Sequence, residues 1–230
     1  MEQGLAVVIQ ARTGSSRLPG KVLADLAGRP MLRFQLDRLR RLDCDHLVVA
    51  TSDLPGDDPI AVLAQAAGAD VIRGSETDVL GRFGLAIERF DPETVVRLTG
   101  DNPLTDPGIV ADAVALHRSS GADYTSNVHP RSFPKGLDVE VASAAALSTA
   151  IVEAVDPNER EHVTPFLYRH PERFRIANHA SGQDLGDLGW TVDTPEDMER
   201  IRRIVGLLDD PAEASWTEIL AAVGEVGLLN

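Results

Sequence analysis

In Leu5-Ala6-Val7-Val8-Ile9-Gln10-Ala11-Arg12-Thr13-Gly14-Ser15-Ser16-Arg17-Leu18-Pro19-Gly20-Lys21, an apolar run opens directly into a polar loop. Leu5 to Ile9 has the composition of a buried strand, and the loop after it carries Gly14 and Gly20, Ser15 and Ser16, Arg12, Arg17 and Lys21. In an open parallel sheet, ligands lie beyond the carboxyl ends of the strands, so this loop occupies the place where a nucleotide would be held. Its glycines allow close backbone approach, its serines supply short donors, and its three cations supply the charge that a triphosphate requires. Gln10 and Ala11 border the same surface. Two familiar phosphate loops do not fit. The pattern G-x-x-x-x-G-K-[ST] fails because one residue too many separates Gly14 from Gly20 and because Val22 follows Lys21. G-x-G-x-x-G does not occur here.

The chain of 230 residues is long enough for one large α/β domain, 1–230, or for one carrying a sizeable added lobe. Its 22 basic and 36 acidic residues leave a net charge of −14, which argues against a protein that coats nucleic acid polymers or anionic membranes. The basic first loop is a local exception, of the kind that small anions occupy. Cys44 is the only cysteine, so neither an intrachain disulfide nor a cysteine-built metal site is available. Met1-Glu2-Gln3-Gly4 has no basic or apolar leader character, and no apolar run approaches membrane-spanning length. A soluble cytoplasmic protein is therefore expected.

Alternation along the chain predicts a doubly wound, mostly parallel sheet. Strands are read at Leu5–Ile9, His46–Ala50, Ala69–Ile72 and Thr94–Thr99. Helices are read from Met31 to Leu42, with Pro30 in the first turn, and at Ile60–Ala67, Val79–Phe90 and Asp106 to about Ser119. After residue 120 the rhythm changes. Tyr124–Asn127 reads as extended, and Leu137-Asp138-Val139-Glu140-Val141 alternates with period two, as an antiparallel strand does. Helices follow at Ala144–Val155 and Pro157–Tyr168, then a strand at Phe174–Asn178. Residues 120–181 are thus expected to form an inserted α+β lobe. A short strand, Gly189–Val192, precedes a helix capped by Thr194 with Pro195 at its first position, and a last helix begins near Ser215.

A triphosphate held by cations alone still repels an oxygen nucleophile, so such chemistry usually recruits Mg²⁺. Asp101 and Asp193 each follow a predicted strand and are expected at the same sheet edge as the first loop. The loop Ala11 to Lys21, Thr99-Gly100-Asp101-Asn102-Pro103-Leu104 and Val192-Asp193-Thr194-Pro195-Glu196-Asp197 together resemble the cytidylyltransferases that activate acidic sugars, the CMP-sialate and CMP-Kdo synthetases. The likeness is strongest to the branch of the spore coat polysaccharide biosynthesis protein F. That resemblance implies CTP as substrate, transfer of CMP to a small acidic acceptor, Mg²⁺ on Asp101 and Asp193, and a homodimer paired through residues 124–178. It gives Arg12, Lys21 and Asp101 catalytic roles, with Gly100 beside the nucleotide. Base choice is inherited from the resemblance.

Thr51, Ser52, Asp53, Ser75, Asp78 and Arg82 close two strands on the nucleotide side, where they suit base and ribose recognition or ordinary turn and cap chemistry. Arg131, Lys135, Asp138 and Glu140 suit an acceptor bearing a carboxylate or phosphate and hydroxyl or amino groups. Glu161 and His162 in Glu159-Arg160-Glu161-His162-Val163-Thr164, a segment typical of the same branch, are expected to complete that pocket. A zinc site on His162 and His170 fails on spacing. Two rival readings are a glycosyltransferase on a similar sheet, for which Asp43-Cys44-Asp45 stands at the wrong end of a strand, and a non-catalytic nucleotide sensor.

Overall fold

The computed structural model describes residues 4–225, and the acidic Met1-Glu2-Gln3 segment lies outside them. Its strands are β1 (Leu5–Gln10), β2 (Asp25–Leu26), β3 (Arg29–Pro30), β4 (His46–Ser52), β5 (Asp70–Gly74), β6 (Thr94–Thr99), β7 (Tyr124–Ser126), β8 (Glu140–Ser143) and β9 (Ile176–Asn178). The helices are α1 (Met31–Leu39), α2 (Asp58–Ala66), α3 (Val79–Phe90), α4 (Pro107–Ser120), α5 (Ala144–Glu153), α6 (Pro157–His162), α7 (Pro165–Tyr168), α8 (Pro195–Val205) and α9 (Trp216–Glu225). Seven strands form one sheet in the order β5-β4-β1-β6-β8-β7-β9, and β2 with β3 makes a separate small hairpin. The four strands β5, β4, β1 and β6 pair in parallel, β8 runs against both of its neighbours, and β9 pairs in parallel with β7.

Side chains alternate across a strand, so β1 feeds two cores at once. Leu5, Val7 and Ile9 join the core under α1, α2, α4, α8 and α9, whereas Ala6 and Val8 join the one under α3, α5 and α7. Burial on both faces explains why β1 reads as an unbroken apolar run. Arg38, 1% exposed, ties the C-terminal part to this frame by donating to the carbonyls of Thr105, Pro211 and Ala214.

Four expectations are corrected. Pro30 does not sit in the first turn of α1; it pairs with Asp25 in the β2–β3 hairpin and precedes the helix as its N-cap. The period-two run at 137–141 becomes a strand only from Glu140, because the Asn127 side-chain amide donates to the carbonyl of Leu137 at 2.7 Å and accepts from Val139 N–H at 2.8 Å. That amide replaces the ladder a strand would need. The helix expected over 157–168 is split. Pro165 supplies no N–H, and the carbonyl of His162 accepts from Thr164 N–H at 2.8 Å around Val163, whose φ is 71°. Gly189–Val192 is extended but pinned at separate points rather than laddered: Lys135 N–H to Leu188, Trp190 N–H to Lys135 and Val192 N–H to Asp101.

Candidate active site

The basic loop leaves β1 and is anchored from beneath by a carboxylate. Asp57 Oδ1 accepts from Thr13 N–H at 2.7 Å and from the Thr13 hydroxyl at 2.6 Å, while Oδ2 accepts from the Ser52 hydroxyl at 2.5 Å. Burial alone would raise the pKa of Asp57, but the donors from Ser52 and Thr13 outweigh it and hold the carboxyl below its ordinary value. Sequence reading missed Asp57. It stands in a Pro-Gly-Asp-Asp turn with no local signal, and its partners are 5 and 44 residues away.

Across the loop, one ammonium gathers the two distant acids. Lys21, 8% exposed, donates from Nζ to Asp101 Oδ2 at 3.2 Å, to Asp193 Oδ1 at 3.0 Å and to the carbonyl of Val192 at 2.7 Å. Arg17 reaches the other oxygen of Asp193 at 2.9 Å. Each acid is set by its own segment. Asp101 follows β6, accepts on Oδ1 from Thr99 Oγ1 at 2.5 Å, and uses its carbonyl to take Val192 N–H at 2.9 Å, which draws the extended segment before Asp193 alongside. Asp193 precedes α8, where Thr194 and Asp197 form a reciprocal capping box.

Two glycines permit these approaches. A Cβ on Gly100 would lie 3.0 Å from Ala11 Cβ and 3.3 Å from Gln10 O, and one on Gly136, at φ 103°, would collide with the Trp190 carbonyl carbon at 2.4 Å. Gly136 thereby lets the extended segment that leads to Asp193 lie flat against it.

Two clefts meet at this edge, with volumes of about 370 and 430 Å³, in the range of small-molecule sites. Gln10, Ala11, Arg12, Gly14, Ser15, Ser16, Arg17, Lys21, Arg82, Gly100, Asp101, Glu161 and His162 line the first, so most residues expected beside the nucleotide do share one wall. Arg131, Asp138, Glu140 and again His162 line the second. Arg97, Thr99 and His162 belong to both. Arg97 escaped sequence reading because a lone Arg inside an apolar strand is indistinguishable from an outward-facing residue. Its side chain instead donates to Gln10 Oε1 at 2.9 Å and pairs with Glu140.

Other expected residues stand elsewhere. Thr51 and Ser52 are fully buried, Asp53 is exposed, and none of these lines either cleft. Ser75 caps the turn at Asp78 by accepting its N–H, and Asp78 caps α3 by accepting from Gly81 N–H at 2.9 Å. Asp78 is also gripped by both arms of Arg160, at 2.9 and 2.6 Å, so these two are fastened as turn and cap residues. Lys135 uses its backbone to hold Leu188 and Trp190 and lines neither cleft. Glu161 turns to the first cleft, where its carboxylate accepts from Arg12 at 3.2 Å, rather than to the second. Arg82, 2% exposed, donates to the carbonyl of Ala50 at 3.1 Å and leaves Nε without a partner. At the far end of the strands, Asp45 accepts the N–H of Leu5 at 2.8 Å, so Asp43-Cys44-Asp45 lies away from both clefts, and burial pushes the Cys44 thiol up to about 11.

No helix among the described residues is long and apolar enough to cross a membrane. The family model described as cytidylyltransferase matches residues 6–206. The chain is 35% identical, over 93% of its length and 91% of the relative's, to the spore coat polysaccharide biosynthesis protein SpsF of Bacillus subtilis. A cytidylyltransferase from Leptospira borgpetersenii superposes with a TM-score of 0.94 at 28% identity, covering 99% of this chain and 97% of that one. The fold also matches that of CMP:2-keto-3-deoxy-manno-octonic acid synthetase, solved in complex with CTP, with a TM-score of 0.64 at 18% identity over 88% of this chain and 98% of the other. The sheet order, the loop that leaves β1 and the long family match agree, and this chain is a nucleotidyltransferase that belongs to the cytidylyltransferase family.

Proposed function

We propose that the chain transfers CMP from CTP to a small acidic acceptor, such as an acidic sugar, with release of pyrophosphate. The observation that carries this reading is the convergence of Lys21, Asp101 and Asp193 on one point beneath the basic loop. Ser15, Ser16 and the backbone around Gly14 would cradle the phosphates, and Arg12, Arg17 and Lys21 would neutralise the departing pyrophosphate. Arg82, buried and with a free Nε donor, would meet the base or ribose. The acceptor would lie in the second cleft, so that its hydroxyl reaches the α-phosphorus across the wall shared by the two.

The donor set also suits a divalent cation. Two hard carboxylates meet at one point, and among the described residues no third His, Cys, Asp or Glu joins them, which leaves room for phosphate and water ligands. Asp101 and Asp193 would hold Mg²⁺, which supplies Lewis-acid charge at the α-phosphoryl oxygen when bound. Lys21 would then move its ammonium from the acids toward the triphosphate.

The test is a pyrophosphate-release screen of four nucleoside triphosphates crossed with acidic acceptors, run beside release of nucleoside diphosphate from sugar nucleotides. CTP-dependent pyrophosphate release is expected, and Lys21→Ala should lower kcat/KM at least about a hundredfold, as removal of a group that stabilises developing charge does. Release of a nucleoside diphosphate instead would favour the glycosyltransferase reading. Parental turnover by Lys21→Ala would remove the role given to that residue.

A further inference from the structure

The geometry points to His162 as the general base that takes the proton from the acceptor oxygen, an inference that rests on the cytidylyl-transfer reading. Among the described residues only Arg97, Thr99 and His162 line both clefts, and an oxygen passing from the second cleft toward a phosphorus in the first meets these three side chains. Two of them cannot serve. Arg97 offers no acceptor atom, donates to Gln10 and pairs with Glu140. Thr99 donates its hydroxyl proton to Asp101 at 2.5 Å and accepts from Asn102 at 3.0 Å.

The carboxylates of the second cleft are occupied as well. Asp138 holds Arg131 through both oxygens, at 2.5 and 2.8 Å, and Glu140 receives Arg97, the Tyr124 hydroxyl and the Thr164 hydroxyl. Glu161 is turned onto Arg12. The imidazole of His162 has no hydrogen-bond or ion-pair partner among the described residues. It is thus the one side chain at the junction that carries an acceptor nitrogen not already engaged by a neighbour.

The backbone on either side fixes where its Cα stands. Arg160, two residues before it, is locked on Asp78 by two bonds, which sets α6 against α3. The next residue, Val163, is fully buried at φ 71° and ψ −56°, closing a three-residue γ-turn from Thr164 N–H to His162 C=O. A β-branched residue rarely adopts this conformation, and such backbone is concentrated where a side chain must be held in place for chemistry.

In the step itself, the acceptor O–H proton passes to an imidazole nitrogen as the acceptor oxygen bonds to the α-phosphorus. The bond from that phosphorus to the oxygen bridging toward the β-phosphate breaks, its electron pair leaves on pyrophosphate, and the imidazolium returns the proton to solvent.

The experiment measures pyrophosphate release from CTP with 3-deoxy-manno-octulosonate, sialate and other acidic acceptors, using wild type, His162→Gln and His162→Ala. CTP binding and melting temperature are recorded on the same samples. His162→Gln should lose at least about a hundredfold in kcat with KM for CTP within about threefold, and added imidazole should restore turnover to His162→Ala saturably. A wild-type enzyme that works beside a His162→Gln whose kcat stays within about threefold, or a His162→Ala deaf to imidazole, overturns the base and leaves cytidylyl transfer standing. A wild type silent with every acceptor overturns both.

Discussion

Asp57 shows how much of the site depends on a side chain that touches neither cleft. It is 3% exposed and accepts three close bonds from Thr13 and Ser52, so Asp57→Ala leaves those donors without their acceptor. The cost expected for buried donors left unsatisfied is about 1–3 kcal/mol, which calorimetry would read as a melting temperature lower by several degrees. The larger effect should fall on the loop: KM for CTP is expected to rise, and an unchanged KM would show that the loop keeps its shape without this anchor. The same contrast marks what could be read from the chain alone. The convergence of Lys21, Asp101 and Asp193 was legible because each stands in a short motif that follows a strand or an extended segment, where the topology dictates a common edge. Asp57, Arg97 and the attachment of Glu161 to Arg12 were not, since each acquires its role from a partner 44, 87 or 149 residues away. Local composition carries no trace of such pairings.

Among the elements, α6 is short, yet nearly every polar residue in it has a distinct attachment. Glu159 pairs with Arg169, Arg160 with Asp78, Glu161 with Arg12, and His162 faces both clefts. Asp78 is therefore both the cap of α3 and the acceptor for α6. Burial would raise its pKa, but the hydrogen bonds from Arg160 and Gly81 prevail, and the folded value lies below the ordinary 3.8. A group whose pKa falls on folding contributes stability above its unfolded value and loses it as pH drops through the folded one. Urea melts of wild type should accordingly weaken below about pH 4, and Asp78→Asn, which keeps the cap but not the charge, should show a flatter decline over that window. Identical slopes would mean that this pair does not couple the two helices. The helix expected across 157–168 failed at its middle for a backbone reason: a missing N–H at Pro165 and the positive φ of Val163. Strand ends at 137–143 moved because a single amide, Asn127, competed with the ladder. By contrast α3 and β6 coincide with their expected bounds, each having a clear cap or clear flanking turn.

For the whole molecule, the sheet passes without interruption from the parallel strands into residues 120–181, through β6–β8 and β8–β7 pairing. A segment sharing a sheet with the parallel half is expected to unfold with it. Fluorescence of Trp190, buried in the core shared with α1 and α8, and of Trp216, half-buried against that core, should therefore report the same midpoint as far-ultraviolet dichroism. Two separated midpoints would show that residues 120–181 fold as a unit of their own. The doubly wound order was legible because apolar runs and caps alternate at regular intervals up to Ser120. Residues 120–181 were legible only as a break in that rhythm, because their strands of three or four residues are too short to declare a period.

The wall common to the two clefts has a practical consequence for redesign. Substitutions at Arg97 or Thr99 alter both chambers together, so on the proposed reading any gain in accommodating a new acceptor there would disturb the handling of the nucleotide. Selectivity is better sought on the opposite side of the second chamber, at His129, Arg131, Asp138 and Tyr168, which face it alone. If cytidylyl transfer is as proposed, libraries confined to those four positions should leave KM for CTP unchanged while varying the acceptor that is used.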